Sequence, residues 1–490
     1  MNNTKFLLAT ILLAGCSATI FAQDQAEALR YSYLSPMGTA RSVGFGNALG
    51  SIGGDFTSLS VNPAGIGQYR LSEVEITPSI RMNSVDASYI GTTSSDNNTR
   101  FNFNSAGIVF TSAPHGKRYD RSNWKAVSFG FGVNRLADFN RDYTYNGNMS
   151  GAGGSSLSEI YEVDANNNPN NVNDATTPAG AANSIGLLAY DSALSYYRSI
   201  VPYNTGINQK AIISERGGIN EVVLSLGGNY QEKLLLGATL GLPVINYSMN
   251  ELFSENPLTA TTNFTNFTYS EQLSTHGTGV NLKLGFIYKV NDYFRFGAAV
   301  HTPTYYKMHD DDQITISNSG SVAQPYSTSY DYSLTTPWRT VVSATGFLGK
   351  NGFVTADWEM VGYGSAKYRF DGNNKDAESY ANQQIDSSYK TASIVRLGAE
   401  VRLSKIIYVR AGYGYYMSPY KNSVADANRQ DISGGVGFRM GKTFVDFAYI
   451  HTTYSENEAP YVLGYNNVII PNATLANKLN TAVLTFGIKM

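Results

Sequence analysis

From Val280 to Val290 every second residue is apolar: Val280, Leu282, Leu284, Phe286, Tyr288 and Val290 alternate with Asn281, Lys283, Gly285, Ile287 and Lys289. The same period recurs in Thr391–Leu403. There Val395, Leu397, Ala399, Val401 and Leu403 share one face, and Arg396, Gly398, Glu400 and Arg402 share the other. It returns over Ile432–Met440 and in Leu484, Phe486, Ile488 and Met490. A period of two predicts strands with one apolar and one polar face. Short turns at Gln231-Glu232, Asn291-Asp292, Lys350–Gly352, Ser404-Lys405 and Gly441-Lys442 alternate with long polar stretches near 136–218, 247–275, 309–326, 361–388, 417–429 and 455–478. A soluble sandwich has no reason for such alternation. A transmembrane barrel does, with short periplasmic turns and long extracellular loops.

The pattern predicts fourteen strands, near 73–82, 101–112, 124–135, 219–230, 233–246, 276–290, 293–308, 327–349, 351–360, 389–403, 405–416, 430–440, 442–454 and 479–490. Pro337 interrupts the eighth, which marks a bulge or a lost ladder donor. An even number brings both ends of the barrel to the periplasmic side. The fold class is therefore all-β, a transmembrane antiparallel barrel.

Composition supports this. Charged residues make up only 15% of the 490, aromatics reach 12% with 35 Tyr, and there are 47 Gly. The mean hydropathy is still −0.22, as expected when half of each strand faces lipid and half faces a polar interior. With 36 basic and 38 acidic side chains the net charge is −2, so no basic footprint for nucleic acid exists. A lipid-facing charge at the midplane costs a few kcal/mol. Lys283, Arg339, Asp357, Arg396, Glu400, Arg402, Arg410, Arg439 and Asp446 are accordingly expected to point inward. Tyr288, Tyr293, Tyr408 and Tyr415, at strand ends, are candidates for interfacial girdles.

Lys5, the apolar run Phe6–Ala14 and Ala18–Ala22 predict a signal peptide over residues 1–22 and export to the bacterial outer membrane. Cleavage after Ala22 competes with a lipobox reading of Leu13-Ala14-Gly15-Cys16, which would lipidate Cys16. Residues 23–72 show no sustained alternation and are rich in Gly and Ser, so they are expected to be a tail, a periplasmic domain or a plug. Residues 73–490 are expected to form the barrel.

The run G-T-A-R-S-V-G-F-G-N-A-L-G, then Gly53-Gly54-Asp55, then Asn62-Pro63-Ala64 ahead of the first strand resembles the start of FadL-type outer-membrane transporters of long-chain fatty acids and other hydrophobic compounds. The resemblance implies a fourteen-stranded barrel closed by a small N-terminal hatch over 23–72. It implies capture of ligand at extracellular loops, passage to a lumen pocket and sideways release at an inward kink in the third strand. It places Asn62, Pro63 and Ala64 in the hatch turn, with Gly65 and Gly67 allowing close approach to the wall. It places the kink at Gly130 and Gly132, in Ser128–Gly132. The bland alternatives are an ordinary Asn-Pro turn and the general abundance of glycine on barrel inner faces. One departure is the final residue, Met490, where such barrels usually end in an aromatic.

Arg396, Arg410 and Arg439 lie on neighbouring strands and are candidates for holding a fatty-acid carboxylate; the alternative is pairing with Glu400 or Asp446 in the wall. No catalytic motif of the G-x-S-x-G or H-E-x-x-H type occurs, and the five histidines are scattered, so neither an enzyme, a metal site nor a cofactor is expected. The expected partners are hydrophobic small molecules such as fatty acids, and outer-membrane lipid, with the chain as a monomer. A haem receptor, drawing on the many tyrosines, and a structural or adhesive surface barrel are the alternatives.

Overall fold

The computed structural model describes residues 25–150, 154–372, 374–422, 427–463 and 470–490. The signal-peptide reading and Cys16 lie outside the described residues. Fourteen antiparallel strands form one closed sheet. They are β1 (Glu73–Tyr89), β2 (Thr92–Ser112), β3 (Trp124–Asp138, continued by Arg141–Met149), β4 (Ile207–Tyr230), β5 (Leu234–Pro257), β6 (Phe267–Lys289) and β7 (Phe294–His301 with Tyr305–Asn318). There follow β8 (Tyr326–Thr335 with Arg339–Phe347), β9 (Gly352–Gly362 with Lys367–Phe370), β10 (Thr391–Arg402), β11 (Ile407–Tyr416), β12 (Arg429–Met440), β13 (Thr443–Glu458) and β14 (Ala473–Lys489). β14 returns to β1 in register from Glu73↔Lys489 to Ser88↔Thr474, which closes the barrel. Among the described residues no helix is long and apolar enough to cross a membrane; the strands do the crossing.

Each of the fourteen strands predicted from periodicity overlaps an observed strand, but several strands run much further at the long-loop end. β4, β5 and β6 have 24, 24 and 23 residues. About 9–11 residues suffice to cross a bilayer. The stretches 207–218, 247–257, 267–275 and 309–318, which read as loops because they are polar, are therefore strand that continues beyond the apolar band, where no lipid enforces alternation. The same holds for 83–100, the outer half of the β1–β2 hairpin. Its turn places Ile90 and Gly91 at φ 44° and 76°. Within the long stretch 136–218, Leu188–Asp191 pairs with Tyr196–Ser199 as a small separate hairpin.

Two prolines explain the breaks in β7 and β8. Pro303 interrupts β7 and Pro337 interrupts β8 at the same level, between the pairs His301↔Arg339 and Tyr305↔Thr335. The missing ladder bonds are replaced locally: Thr336 N donates to Thr304 O at 3.0 Å, and Thr304 N donates to Thr336 Oγ1 at 2.9 Å.

The two faces separate as the alternation requires. Phe129, Leu240, Leu284, Val342, Trp358, Leu397 and Phe447 stand on the outside. Lys283, Arg339, Asp357, Arg396, Glu400, Arg410 and Asp446 are buried inside. Tyr288 and Tyr293 are outward and exposed. Tyr408 is not a girdle residue: it borders the lumen mouth, with the Arg439 guanidinium 5.2 Å above its ring. The face assignment predicts that a fluorescent label on Val354→Cys, 54% exposed, is quenched several-fold more by brominated lipid than one on Thr355→Cys, 1% exposed. Equal quenching would reverse the assignment.

Candidate functional site

Residues 25–72 run inside the barrel from the long-loop end to the short-turn end. The segment contains helix α1 (Gln25–Ser32), helix α2 (Ala40–Gly44), helix α3 (Ser58–Val61) and a 3-10 turn over Pro63–Gln68. Thr39 caps α2, its Oγ1 accepting from Ser42 N at 3.1 Å and donating to Asp55 at 2.8 Å. At the top, Tyr389 OH donates to Gln25 O at 3.0 Å; at the bottom, Arg70 meets Glu232 in the Gln231-Glu232 turn at 2.8 Å.

Asn62 ties this segment to the wall. Its Oδ1 accepts from Ala64 N at 3.1 Å, holding the 3-10 turn that Pro63 begins. Its Nδ2 donates to Gly50 O at 2.6 Å and lies 3.2 Å from Phe286 O on β6 and 3.4 Å from Ala298 O on β7. The wall residue it faces is Gly285, where a Cβ would collide with Oδ1. Gly67 approaches the wall as closely, since a Cβ there would stand 2.6 Å from Gly228 O; Gly65 instead packs within the segment, against Ser58 and Gly53.

Gly130 and Gly132 serve the same end. A Cβ on Gly130 would meet Leu59 at 2.7 Å, and one on Gly132 would meet the Phe56 ring at 2.6 Å. Both glycines lie in unbroken β2–β3 pairing, opposite Val109 and Gly107. Neither glycine interrupts the ladder to β2 or to β4. They give the lumenal segment room to touch the wall.

The departure in β3 comes higher up. β2 and β3 pair only from Ser112↔Val127 to Ser105↔Asn134. Beyond that, β2 is bonded to β1 alone and β3 to β4 alone. Asn104 is the extra residue of a bulge opposite Pro78, and Leu136 is the extra residue of a bulge against β4. Upper β3 then passes inward of the β1–β2 hairpin. Arg81 on the inner face of β1 reaches Asp138 at 3.6 Å, and Tyr145 packs on Tyr89 with centroids 5.2 Å apart. The lumenal segment takes the place of β2 here. Ser35 N donates to Leu136 O at 2.9 Å and Met37 N to Arg135 O at 3.0 Å. Asn104 Nδ2 donates to the carbonyls of Met37 and Gly38 at 3.2 and 3.3 Å. Sequence reasoning missed this place, although a signal exists: the outward apolar positions of β2 slip phase, from Phe101 and Phe103 to Ile108 and Phe110.

The lumen at the long-loop side of this break is apolar and tyrosine-rich. Ala28 and Tyr31 of α1 share a buried cluster with Leu136, Ile245, Tyr306 and Tyr332. α1 fills that space itself. The cavity left beneath it, bordered by Leu34, Ser35, Ser60, Leu136, His301 and Arg339, is about 30 Å³, the room of a water or so. A second, polar cavity of about 370 Å³ lies at the short-turn end under the segment, between Arg41, Asp55, Glu75, Arg439 and Lys489.

The three arginines proposed for carboxylate binding do not converge. Arg396 meets Glu359 at 2.8 Å, and Glu359 also holds Arg339 at 2.7 Å. Arg410 bridges Glu400 and Asp446, both at 2.6 Å, and Arg439 joins Asp446 at 3.0 Å. Arg41 of the lumenal segment adds to that second cluster, 3.3 Å from Glu400 and 3.8 Å from Asp55. His301 is buried, with Nε2 2.9 Å from Val61 O, while His276, His309 and His451 bond side chains of neighbouring strands. Among the described residues no set of His, Cys, Asp and Glu gathers as metal ligands.

A closed fourteen-stranded barrel with its N-terminal segment threaded inside was compared with known proteins. Three solved structures align over nearly their whole length. The Ralstonia pickettii toluene transporter TbuX matches at TM-score 0.52 and 14% identity, over 92% of this chain and 98% of its own. A Pseudomonas aeruginosa FadL homologue matches at 0.56 and 12%, over 93% and 99%. The Pseudomonas putida toluene transporter TodX matches at 0.53 and 12%, over 92% and 98%. The chain has the FadL-type fold. No protein-family model and no curated protein matches the sequence, so the FadL-type likeness is one of architecture, carried by strand count, closure and the lumenal segment.

Asn62 ties that segment both to itself and to the wall. Asn62→Ala should lower stability by roughly 1–3 kcal/mol, the sum of a lost cap and lost buried amide bonds. The check is the urea midpoint at which the folded barrel loses its faster gel migration. An unchanged midpoint would show that the amide holds nothing.

Proposed function

We propose that this chain carries hydrophobic compounds across the outer membrane, with entry at the long-loop end and sideways exit between β2 and β3. The observation that carries the reading is the break in the ladder beyond Ser105↔Asn134, set against an axial path filled by residues 25–72. A solute that dissolves poorly in water gains nothing from a straight aqueous pore. It gains from a lateral door at the level where Phe101 and Phe103 face outward. Two neighbours of the same fold are described as toluene transporters and one as a FadL homologue, which supports the substrate class.

On this reading residues 23–72 act as a hatch, and α1 must yield its apolar site to the ligand. Deleting Leu34–Gly67 should raise single-channel conductance and antibiotic entry while uptake of hydrophobic compounds falls. Unchanged conductance would show that the segment does not close the lumen.

For a fatty acid the carboxylate has one favoured place. Arg396 and Arg339 share the single carboxylate of Glu359, whereas Arg410 and Arg439 are matched by Glu400 and Asp446. Arg396→Met leaves the Arg339–Glu359 pair intact. It should cut oleate uptake roughly ten- to a hundredfold relative to toluene uptake, the value of a charge-assisted bond. Equal losses for both compounds would remove Arg396 from the site.

A further inference from the structure

On β6 the outward run from Val290 to Val280 is apolar and exposed. It covers roughly 33 Å of strand, or about 25 Å of height at a tilt near 40°, which is the whole apolar band of such a barrel. Val280 pairs with Tyr305 of β7, and the next outward pair toward the long loops is Thr278↔Lys307. Lys307 therefore stands at the height of the head groups of the outer leaflet. The row continues across the sheet from Lys307 to Ser333 of β8 and on to Arg369 of β9. One outward step below, Tyr305, Thr335 and Lys367 form a parallel row.

Lys307, Lys367 and Arg369 are exposed, and among the described residues none of them forms an ion pair or a side-chain hydrogen bond. Asp331 and Asp311, further out on β8 and β7, both face His309, at 2.8 and 3.3 Å. Asp371, two residues beyond Arg369, makes no ion pair with it. On other strands Arg216 and Lys478 are answered by carboxylates, Asp142 at 2.6 Å and Asp86 at 2.9 Å. Neighbouring strands are about 4.8 Å apart, so Lys307 and Arg369 flank a trough roughly 10 Å wide, floored by the small Ser333 and Thr335. Tyr305 and Trp338 are exposed on its apolar side, at 60% and 57%.

Three cations converging on one trough without a counter-ion suit a phosphate. Arg369 offers a planar fork to two of its oxygens, and the lysines add point charges. The hydroxyls of Ser333 and Thr335 donate as well. The rings of Tyr305 and Trp338 suit the boundary between sugar and acyl chain. A free phosphate would use the cations and leave the rings idle.

We propose that this outer face binds the phosphorylated sugar head of the outer-leaflet glycolipid, lipid A. A phosphate is held among Lys307, Lys367 and Arg369, and the roots of the acyl chains lie against Tyr305 and Trp338. The site rests on the outer-membrane reading and lies outside the barrel, apart from the path of the cargo.

The test is native mass spectrometry of the purified full-length protein in detergent, titrated with lipid A and with the same lipid A stripped of its phosphates. The wild type should bind the phosphorylated form more tightly by on the order of a hundredfold, about fivefold for each cation near the surface. Lys307→Gln, Lys367→Gln and Arg369→Gln together should abolish that preference, and Arg369→Gln alone should reduce it about fivefold. Replacing Lys350, Lys405 and Lys442 by Gln, at the short-turn end, should change nothing. Equal losses in both triple variants would reduce the effect to net charge and overturn the site. So would a wild type that binds both lipids alike, or one from which millimolar inorganic phosphate displaces lipid A. Cell fractionation separates the two readings: a protein found in the outer membrane that ignores the lipid phosphates sinks this site alone, whereas a protein absent from that membrane sinks the location with it.

Discussion

Inside a bilayer every backbone N–H and C=O must find its partner within the protein. The rest of this structure is organised by that requirement and by how it is met where the β2–β3 ladder stops. Closure of β14 onto β1 removes the edges of the sheet. Beyond Ser105↔Asn134 the β2–β3 ladder stops, and the carbonyls exposed at the bend do not go unpaired. Arg135 and Leu136 receive the amides of Met37 and Ser35. The N-terminal segment is thus a ladder partner as much as a filling. A strand could not do this job, because it would restore the wall. A segment coming from within satisfies the carbonyls without extending the β2–β3 ladder.

Filling follows from size. About eight strands enclose a space that wall side chains can fill, and fourteen do not. The segment supplies Phe45, Leu49, Phe56 and Ile66, all fully buried. The wall yields room where they arrive, through Gly130, Gly132 and Gly285. The inward charges answer each other in the same space. Arg41 joins the Glu400, Arg410 and Asp446 cluster, so one network grips both the wall and the segment. Removing one member of such a buried set typically costs about 3–5 kcal/mol, because its partner is left charged and dry.

The strands, their number and their faces were legible in the chain because the bilayer imposes alternation residue by residue. Leu282 outward and Lys283 inward follow from position alone, as does the interruption at Pro337. The Asn62-Pro63-Ala64 turn was legible as a turn, since Asn caps and Pro begins helical segments wherever they stand. Beyond the apolar band the constraint lapses. Strand and loop are then equally polar, which is why 207–218 and 247–257 read as loop and are strand.

What tertiary structure alone decided is who meets whom. Arg396, Arg410 and Arg439 share a face in sequence, yet ladder register divides them between Glu359 and Asp446. The glycines of β3 were visible, but whether they bend the strand or receive a neighbour depends on Leu59 and Phe56, some 70 residues away in the chain. The break itself left only a one-residue phase slip at Asn104, because it arises from two bulges on different strands and from amides supplied by a third segment. Periodicity records what each residue faces, lipid or lumen. It carries no record of which distant residue fills the lumen, because that is set by register and closure, and those exist only once the chain has folded.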